Sequence, residues 1–231
     1  LLATGAARPR DLDVPGRGAE GVHFAMDFLC QQNLAATGRH DRIGQYISVK
    51  DKVVVVIGGG ETGNDCVEMA VMQGAKQVHQ LEILPAPERG QVRHAAPREH
   101  SRNGVDRRWA VATKQFAADS GQVTSLAGVA VQWYDSPAGP VMREKPDSDF
   151  RLPVEVALLA LGFSAEIEPQ LAAQLGLEPD AKGRVPLDGA AASVEGVFAA
   201  GDFAHGASLV VNAIRSGRDA AKAIDAYLAR K

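Results

Sequence analysis

Five β-branched residues, Val53-Val54-Val55-Val56-Ile57, run directly into Gly58-Gly59-Gly60-Glu61-Thr62-Gly63. No polar residue interrupts the apolar run, which predicts a central parallel strand buried on both faces. The next six residues have the spacing Gly-x-Gly-x-x-Gly. Residues 64–73, carrying Val67, Met69, Ala70 and Val71, predict a helix that Gly74 ends. Strand, glycine turn and helix in that order form a dinucleotide fingerprint. Gly58 would permit the tight turn, Gly60 the approach of backbone to a pyrophosphate, and Gly63 the close packing of helix on strand. The helix start, with Glu61 and Thr62 in its first turn, would offer unpaired N–H groups and partial positive charge to phosphates. The competing reading is a glycine-rich turn without a ligand. It leaves unexplained why the whole strand–turn–helix–strand unit is present.

The second strand of that unit is expected over 77–84, stopped by Pro85 and Pro87. A fingerprint of this type places an acidic residue about 20 positions on, at the strand end, for the ribose hydroxyls. Glu82 stands there. A carboxylate would favour NADH, because it repels a 2′-phosphate. Arg89 and Arg93 lie just beyond and could instead grip that phosphate, or belong to a solvated loop. The choice between NADPH and NADH stays open on these residues.

The remainder of the chain alternates strands and helices. Helices are expected over 23–36, 167–175 and 208–231, antiparallel strands over 109–116 and 124–134, a buried strand over 154–161, and loop over 85–107. That order predicts an α/β fold with a parallel sheet and an interposed hairpin. The opening Leu1-Leu2-Ala3-Thr4-Gly5 reads as the end of a buried strand, so the chain is expected to be a piece of something longer.

Composition excludes several classes. The chain has 231 residues, 25 basic and 28 acidic, with a net charge of −3. Such a balance does not steer a whole surface onto nucleic acid. Cys30 and Cys66 are the two cysteines. They exclude a disulfide scaffold, a Cys-x-x-Cys redox pair and an iron–sulfur cluster built from this chain alone. They suit a reducing, cytoplasmic compartment, and Cys66 reads as a buried structural thiol. The apolar runs are strand length, short of the roughly 20 residues of a membrane helix. The six histidines show no metal-ligand spacing, so no metal site is expected.

A second constellation is Gly196-Val197-Phe198-Ala199-Ala200-Gly201-Asp202. It reads as a strand that delivers Gly201 and Asp202 at its tip, with a helix starting near Ser208, Leu209 and Val210. In flavoproteins with two dinucleotide sites, such an aspartate bonds the ribityl and phosphate region of FAD, and the following helix start faces the flavin's pyrimidine edge. An ordinary strand–turn–helix is the alternative. Against it, Ala3-Thr4-Gly5 and Leu159-Ala160-Leu161-Gly162 echo one another as apolar strand and glycine turn. Two such crossover points are expected where a nicotinamide domain is inserted into a FAD domain.

These motifs together resemble the small (β) subunit family of bacterial glutamate synthase and its relatives in the dihydropyrimidine dehydrogenase group. The matching stretches include Val14-Pro15-Gly16-Arg17, Gly21-Val22-His23-Phe24-Ala25-Met26, Glu82-Ile83-Leu84-Pro85, Arg107-Arg108-Trp109-Ala110-Val111 and Ser208-Leu209-Val210-Val211. The resemblance runs the length of the chain. It implies a two-dinucleotide-binding-domain flavoprotein in which a Rossmann-like NAD(P) domain, 50–160, is inserted into an incomplete FAD domain. The FAD parts would be 1–49, truncated at its N-terminus, and 161–231. It also implies an enzyme that passes hydride from NADPH (or NADH) to FAD, then electrons through iron–sulfur centres to a glutamate-forming large subunit. The [4Fe-4S] cysteines and the fingerprint for the ADP half of FAD would lie in an N-terminal region outside this sequence. No catalytic acid or base is implied. The implied contacts are Gly58, Gly60, Glu61, Thr62, Gly63, Glu82 and Arg89 for the nicotinamide dinucleotide. For FAD they are Thr4, Gly5, Gly162, Gly201, Asp202, Ser208, Leu209 and Val210. Ala204-His205, Ala207 and Asn212 depart from the family's arginine pair, glutamine and tryptophan. A related flavoprotein with another acceptor, or a non-catalytic nucleotide-binding remnant, are the other readings.

Overall fold

The computed structural model describes residues 1–87, 105–137 and 139–230. In chain order its elements are β1 (Arg8–Pro9), β2 (Val22–Phe24), α1 (Ala25–Ala36), β3 (Val53–Ile57), α2 (Glu61–Met72) and β4 (Gln77–Glu82). There follow β5 (Val105–Trp109), β6 (Val111–Asp119), β7 (Gln122–Tyr134), β8 (Val141–Pro153), β9 (Val156–Leu159) and β10 (Phe163–Ser164). The chain closes with α3 (Pro169–Leu175), β11 (Leu187–Asp188), β12 (Ala191–Ala192), α4 (Asp202–His205) and α5 (Val210–Leu228). Two compact units result, one of residues 11–161 and one of 1–10 with 162–231.

In the first unit β3 is the middle of a five-stranded sheet of order β2-β9-β3-β4-β5, every neighbour parallel. Its β-branched side chains pack on both faces, which is why the run carries no alternation. Val55, Ile57, Leu81, Ala157 and Leu159 meet Val111, Phe116, Val123, Leu126 and Leu152 of an antiparallel sheet, β6-β7-β8. Val54, Val56, Val78 and Leu158 meet Phe28 of α1 and Cys66, Val67 and Ala70 of α2 on the other face. Helices, parallel sheet and antiparallel sheet thus form three layers.

Several elements differ from the sequence expectation. His23 and Phe24 belong to a strand, because Val22–Phe24 pairs in parallel with β9 before α1 begins. The strand expected over 109–116 is two strands in different sheets. Ala110, at φ 52°, breaks the extended direction between them. β5 falls partly in the stretch expected as loop, and its polar Asp106-Arg107-Arg108 hid it. β8 was not expected at all. It pairs with β7 on one side, is largely exposed, and holds Pro146 and Pro153, so it shows neither alternation nor an apolar run.

In the second unit β1 pairs antiparallel with β10, and the Arg10 N–H donates to the Gly162 carbonyl at 2.9 Å. The two crossover segments therefore run side by side. The compact division falls at 10/11 and 161/162, whereas the sequence expectation set its first boundary at 49/50. Residues 11–49 pack with the parallel sheet because β2 is its edge strand and α1 covers it. Residues 197–200, expected as a strand, make isolated bridges: Leu2 with Ala199 and Ala191 with Phe198. Each neighbour offers a single pairing position, too few for a continuing ladder. Ile167, Ala172, Leu177, Ala199 and Phe203 form this unit's core.

Candidate functional site

The fingerprint turn sits at the carboxyl end of β3, where open parallel sheets bind ligands. Gly58 has φ +123°, and a Cβ there would lie 2.2 Å from the Ala160 carbonyl oxygen. Only glycine meets both conditions. A Cβ on Gly63 would lie 2.2 Å from the Gly58 carbonyl oxygen, so the helix rests directly on the turn. Gly60 differs: it is extended, exposed, and has nothing within 4 Å of the position a Cβ would take. It is the N-cap of α2, and no side chain caps that helix. A 12-residue helix thus starts, without a side-chain cap, at a glycine with open space on its side. Glu61 is exposed and Thr62 half-buried in that first turn.

Glu82 ends β4 half-buried beside the turn. Its Oε2 accepts the Gly59 N–H at 2.5 Å, and its Oε1 accepts the Leu84 N–H at 2.8 Å. A Cβ on Gly59 would meet Glu82 Oε2 at 2.7 Å, so a side chain there would displace the carboxylate. Arg89 and Arg93 lie outside the described residues.

Sequence reasoning missed three neighbours: Gln80, Asn64 and Arg107. Gln80 Nε2 donates to the Gly58 carbonyl at 3.0 Å and to Asn64 Oδ1 at 3.3 Å, and an Arg107 guanidinium N–H reaches the same Asn64 oxygen at 3.3 Å. A glutamine at the one even-numbered β4 position that should have been apolar was the available signal. Sequence spacing also offers a second Gly-x-Gly-x-x-Gly, Gly16 to Gly21. It precedes β2 and opens no helix. A Cβ on Gly16 would strike the Phe116 carbonyl oxygen at 2.0 Å, so its glycine is required by packing.

The chain matches the model of one protein family, described as pyridine nucleotide-disulphide oxidoreductase, over residues 1–217. The chain belongs to the pyridine nucleotide-disulphide oxidoreductase family. Among its relatives, it is 39% identical to the glutamate synthase [NADPH] small chain of Mycobacterium tuberculosis, over 99% of this chain and 49% of that one. It is 37% identical to the glutamate synthase [NADH] of Schizosaccharomyces pombe, over 97% of this chain and 12% of that one. The chain thus spans about half the length of the small chain it matches, and far less of the larger enzyme. In fold it is similar to FprA of Mycobacterium tuberculosis, solved in complex with NADPH, with a TM-score of 0.74 at 15% identity, covering 99% of this chain and 63% of that one.

The second unit of this family member carries the remaining expected residues. Gly201 donates its N–H to Ser216 Oγ at 3.0 Å and leads into Asp202, which opens α4. Asp202 Oδ1 is buried and has no hydrogen-bond partner. A buried carboxylate oxygen without a donor is costly, and a hydroxyl-bearing ligand would satisfy it. This suits the ribityl chain of FAD. Thr4 and Gly162 are exposed and Gly5 half-buried near the crossover segments. α5 begins at Val210, two residues later than expected, with Leu209 as its N-cap. Ser208, Leu209 and Val210 are all exposed, and Val210 at 76% is an apolar side chain left in solvent.

Cys66 is buried on α2, and burial pushes its thiol up to about 12. That thiol is inert packing. His23 is half-buried, and its burial lowers its pKa. Among the described residues no cluster of three or more His, Cys, Asp or Glu could hold a metal, and no helix is long and apolar enough to cross a membrane.

Proposed function

We propose that this chain is the nicotinamide-oxidising half of a flavoprotein of the glutamate synthase small-chain type, with NADH as the preferred donor. The observation that carries the reading is the open, uncapped start of α2 above Gly60, at the carboxyl edge of a parallel sheet. Gly58, Gly60, Glu61, Thr62 and Gly63 would hold the pyrophosphate through backbone N–H groups. Glu82 would accept from the adenosine ribose hydroxyls, and its charge would repel the 2′-phosphate of NADPH.

Thr4, Gly5, Gly162, Gly201, Asp202 and the 208–210 segment would hold part of FAD, the buried Asp202 oxygen taking a ribityl hydroxyl. When bound, FAD supplies a ring that accepts hydride and releases electrons singly. The chain's own residues bind and orient; none is required as a general acid or base. The relatives include glutamate synthase small chains, which supports a large-subunit partner; onward transfer through iron–sulfur centres outside this chain to a glutamate-forming large subunit, in the cytoplasm, is part of the same proposal. Ala204-His205, Ala207 and Asn212 favour, as a second reading, the same chemistry with another terminal acceptor.

Calorimetric titration of the chain with NADH and, in parallel, NADPH tests the proposal. Saturable binding with NADH the tighter ligand is the expected result. Binding of neither overturns the dinucleotide reading, and tighter NADPH binding overturns the preference.

A further inference from the structure

Along the helix-facing side of β3 and β4 the side chains are Val54, Val56 and Val78, and then Gln80. Gln80 is 3% exposed and its partner Asn64 7%. A polar pair inside an apolar layer is destabilising unless its hydrogen bonds are made. Here they are made to one particular backbone group. Gln80 Nε2 donates to the Gly58 carbonyl, and Glu82, two residues along β4, accepts the next N–H, that of Gly59. A strand places residues i and i+2 on one face. A planar trans peptide points its C=O and N–H in opposite directions. The Gly58–Gly59 peptide is therefore gripped at both ends by two side chains of a single strand. With no side chain on either residue, that peptide has wide backbone freedom in the absence of the grip.

We propose that Gln80 is a positioning residue of the dinucleotide site: through the Gly58 carbonyl it fixes the Gly58–Gly59 peptide and so aims the N–H groups that open α2 at the pyrophosphate. Asn64 Oδ1 holds the Gln80 amide in turn, and an Arg107 guanidinium N–H donates to that same oxygen. The inference rests on the dinucleotide reading above. Donors fixed before binding lose no freedom when the ligand arrives, so the grip strengthens binding without touching the ligand.

The test is titration of the full chain with ADP-ribose, well below the melting temperature, for the wild type, Gln80→Met and Gln80→Glu. Met matches the volume but donates nothing. ADP-ribose affinity should fall about tenfold, the order of one lost hydrogen bond. Glutamate donates only when protonated, so the Gln80→Glu variant should regain affinity as pH falls, while the wild type does not. The charged groups beside that position, Arg107 and Glu82, are common to all three proteins. A purely structural glutamine would lower the melting temperature in both variants and leave ADP-ribose affinity within about twofold of wild type. That result, or a Gln80→Glu variant whose affinity ignores pH, overturns the proposal, the latter even where Gln80→Met fails to fold. Failure of the wild type to bind ADP-ribose overturns the dinucleotide reading, and the positioning role falls with it.

Discussion

Glu82 Oε2 accepts the Gly59 N–H at 2.5 Å, tying the tip of the second strand to the glycine turn of the first. The carboxylate is thereby fixed beside the glycine turn, where the proposed function has it meet the adenosine ribose. On the proposed function its charge, more than its shape, would separate NADH from NADPH. Glu82→Gln keeps an acceptor for Gly59 and removes the charge. The ratio of NADH to NADPH affinity should move toward NADPH by about tenfold, as loss of one near-surface charge repulsion implies. Parallel calorimetric titrations measure it, and an unchanged ratio would remove Glu82 from nucleotide choice.

Two glycines of one motif should fail in opposite ways. Gly63→Ala forces a Cβ to within 2.2 Å of the Gly58 carbonyl oxygen, and should destabilise the protein by about 1–3 kcal/mol. Gly60→Ala meets no atom, so unfolding free energy should change by less than about 1 kcal/mol, while dinucleotide binding is lost. Chemical denaturation and titration on the same two variants separate the effects. A Gly60→Ala protein that binds normally would mean that no ligand approaches that backbone.

The two thiols should differ by exposure. Cys30 is exposed and Cys66 buried, so a thiol reagent should modify Cys30 alone in the native protein and both residues after denaturation. Because the folded Cys66 thiol ionises only at about 12, against 9.0 for a free thiol, the unfolded state gains by ionising first. Stability should be intact below about pH 9 and decline above it. Cys66→Ala should lose that alkaline slope, which denaturant midpoints across pH will show.

Asp106 should contribute at the acid end. Burial opposes its charge, but hydrogen bonds from Arg108 and His79 outweigh that and hold its carboxyl below 3.8. The contribution is present above about pH 4 and lost as pH falls through the lower folded value. At 38% side-chain exposure it is worth under about 1 kcal/mol. Asp106→Asn should flatten the acid limb of stability against pH; an unchanged limb would show that the ion pair adds nothing.

The fingerprint unit was legible because it is local. A β-branched run, glycines at fixed spacing and a helical pattern specify one another within about 30 residues. Glu82 was legible for the same reason, by counting along the unit. What escaped was non-local or polar. β8 is held largely by pairing with β7, and β5 by pairing with β4, and most of their side chains are polar, so neither left an apolar pattern. Ala110 divides two sheets through a backbone angle that its side chain does not advertise.

The amino-acid sequence by itself determined the α/β class, the strand–turn–helix that would meet a pyrophosphate, and membership of an oxidoreductase family, all through short-range pattern. Only the tertiary structure decided that residues 11–49 pack with the parallel sheet, that Gln80 and Glu82 grip the two ends of one peptide, and that Asp202 keeps a buried oxygen without a partner. The physical reason is the same in each case. A hydrogen bond or a buried surface depends on which groups are neighbours in space, and residues far apart in a chain become neighbours only when the sheet assembles.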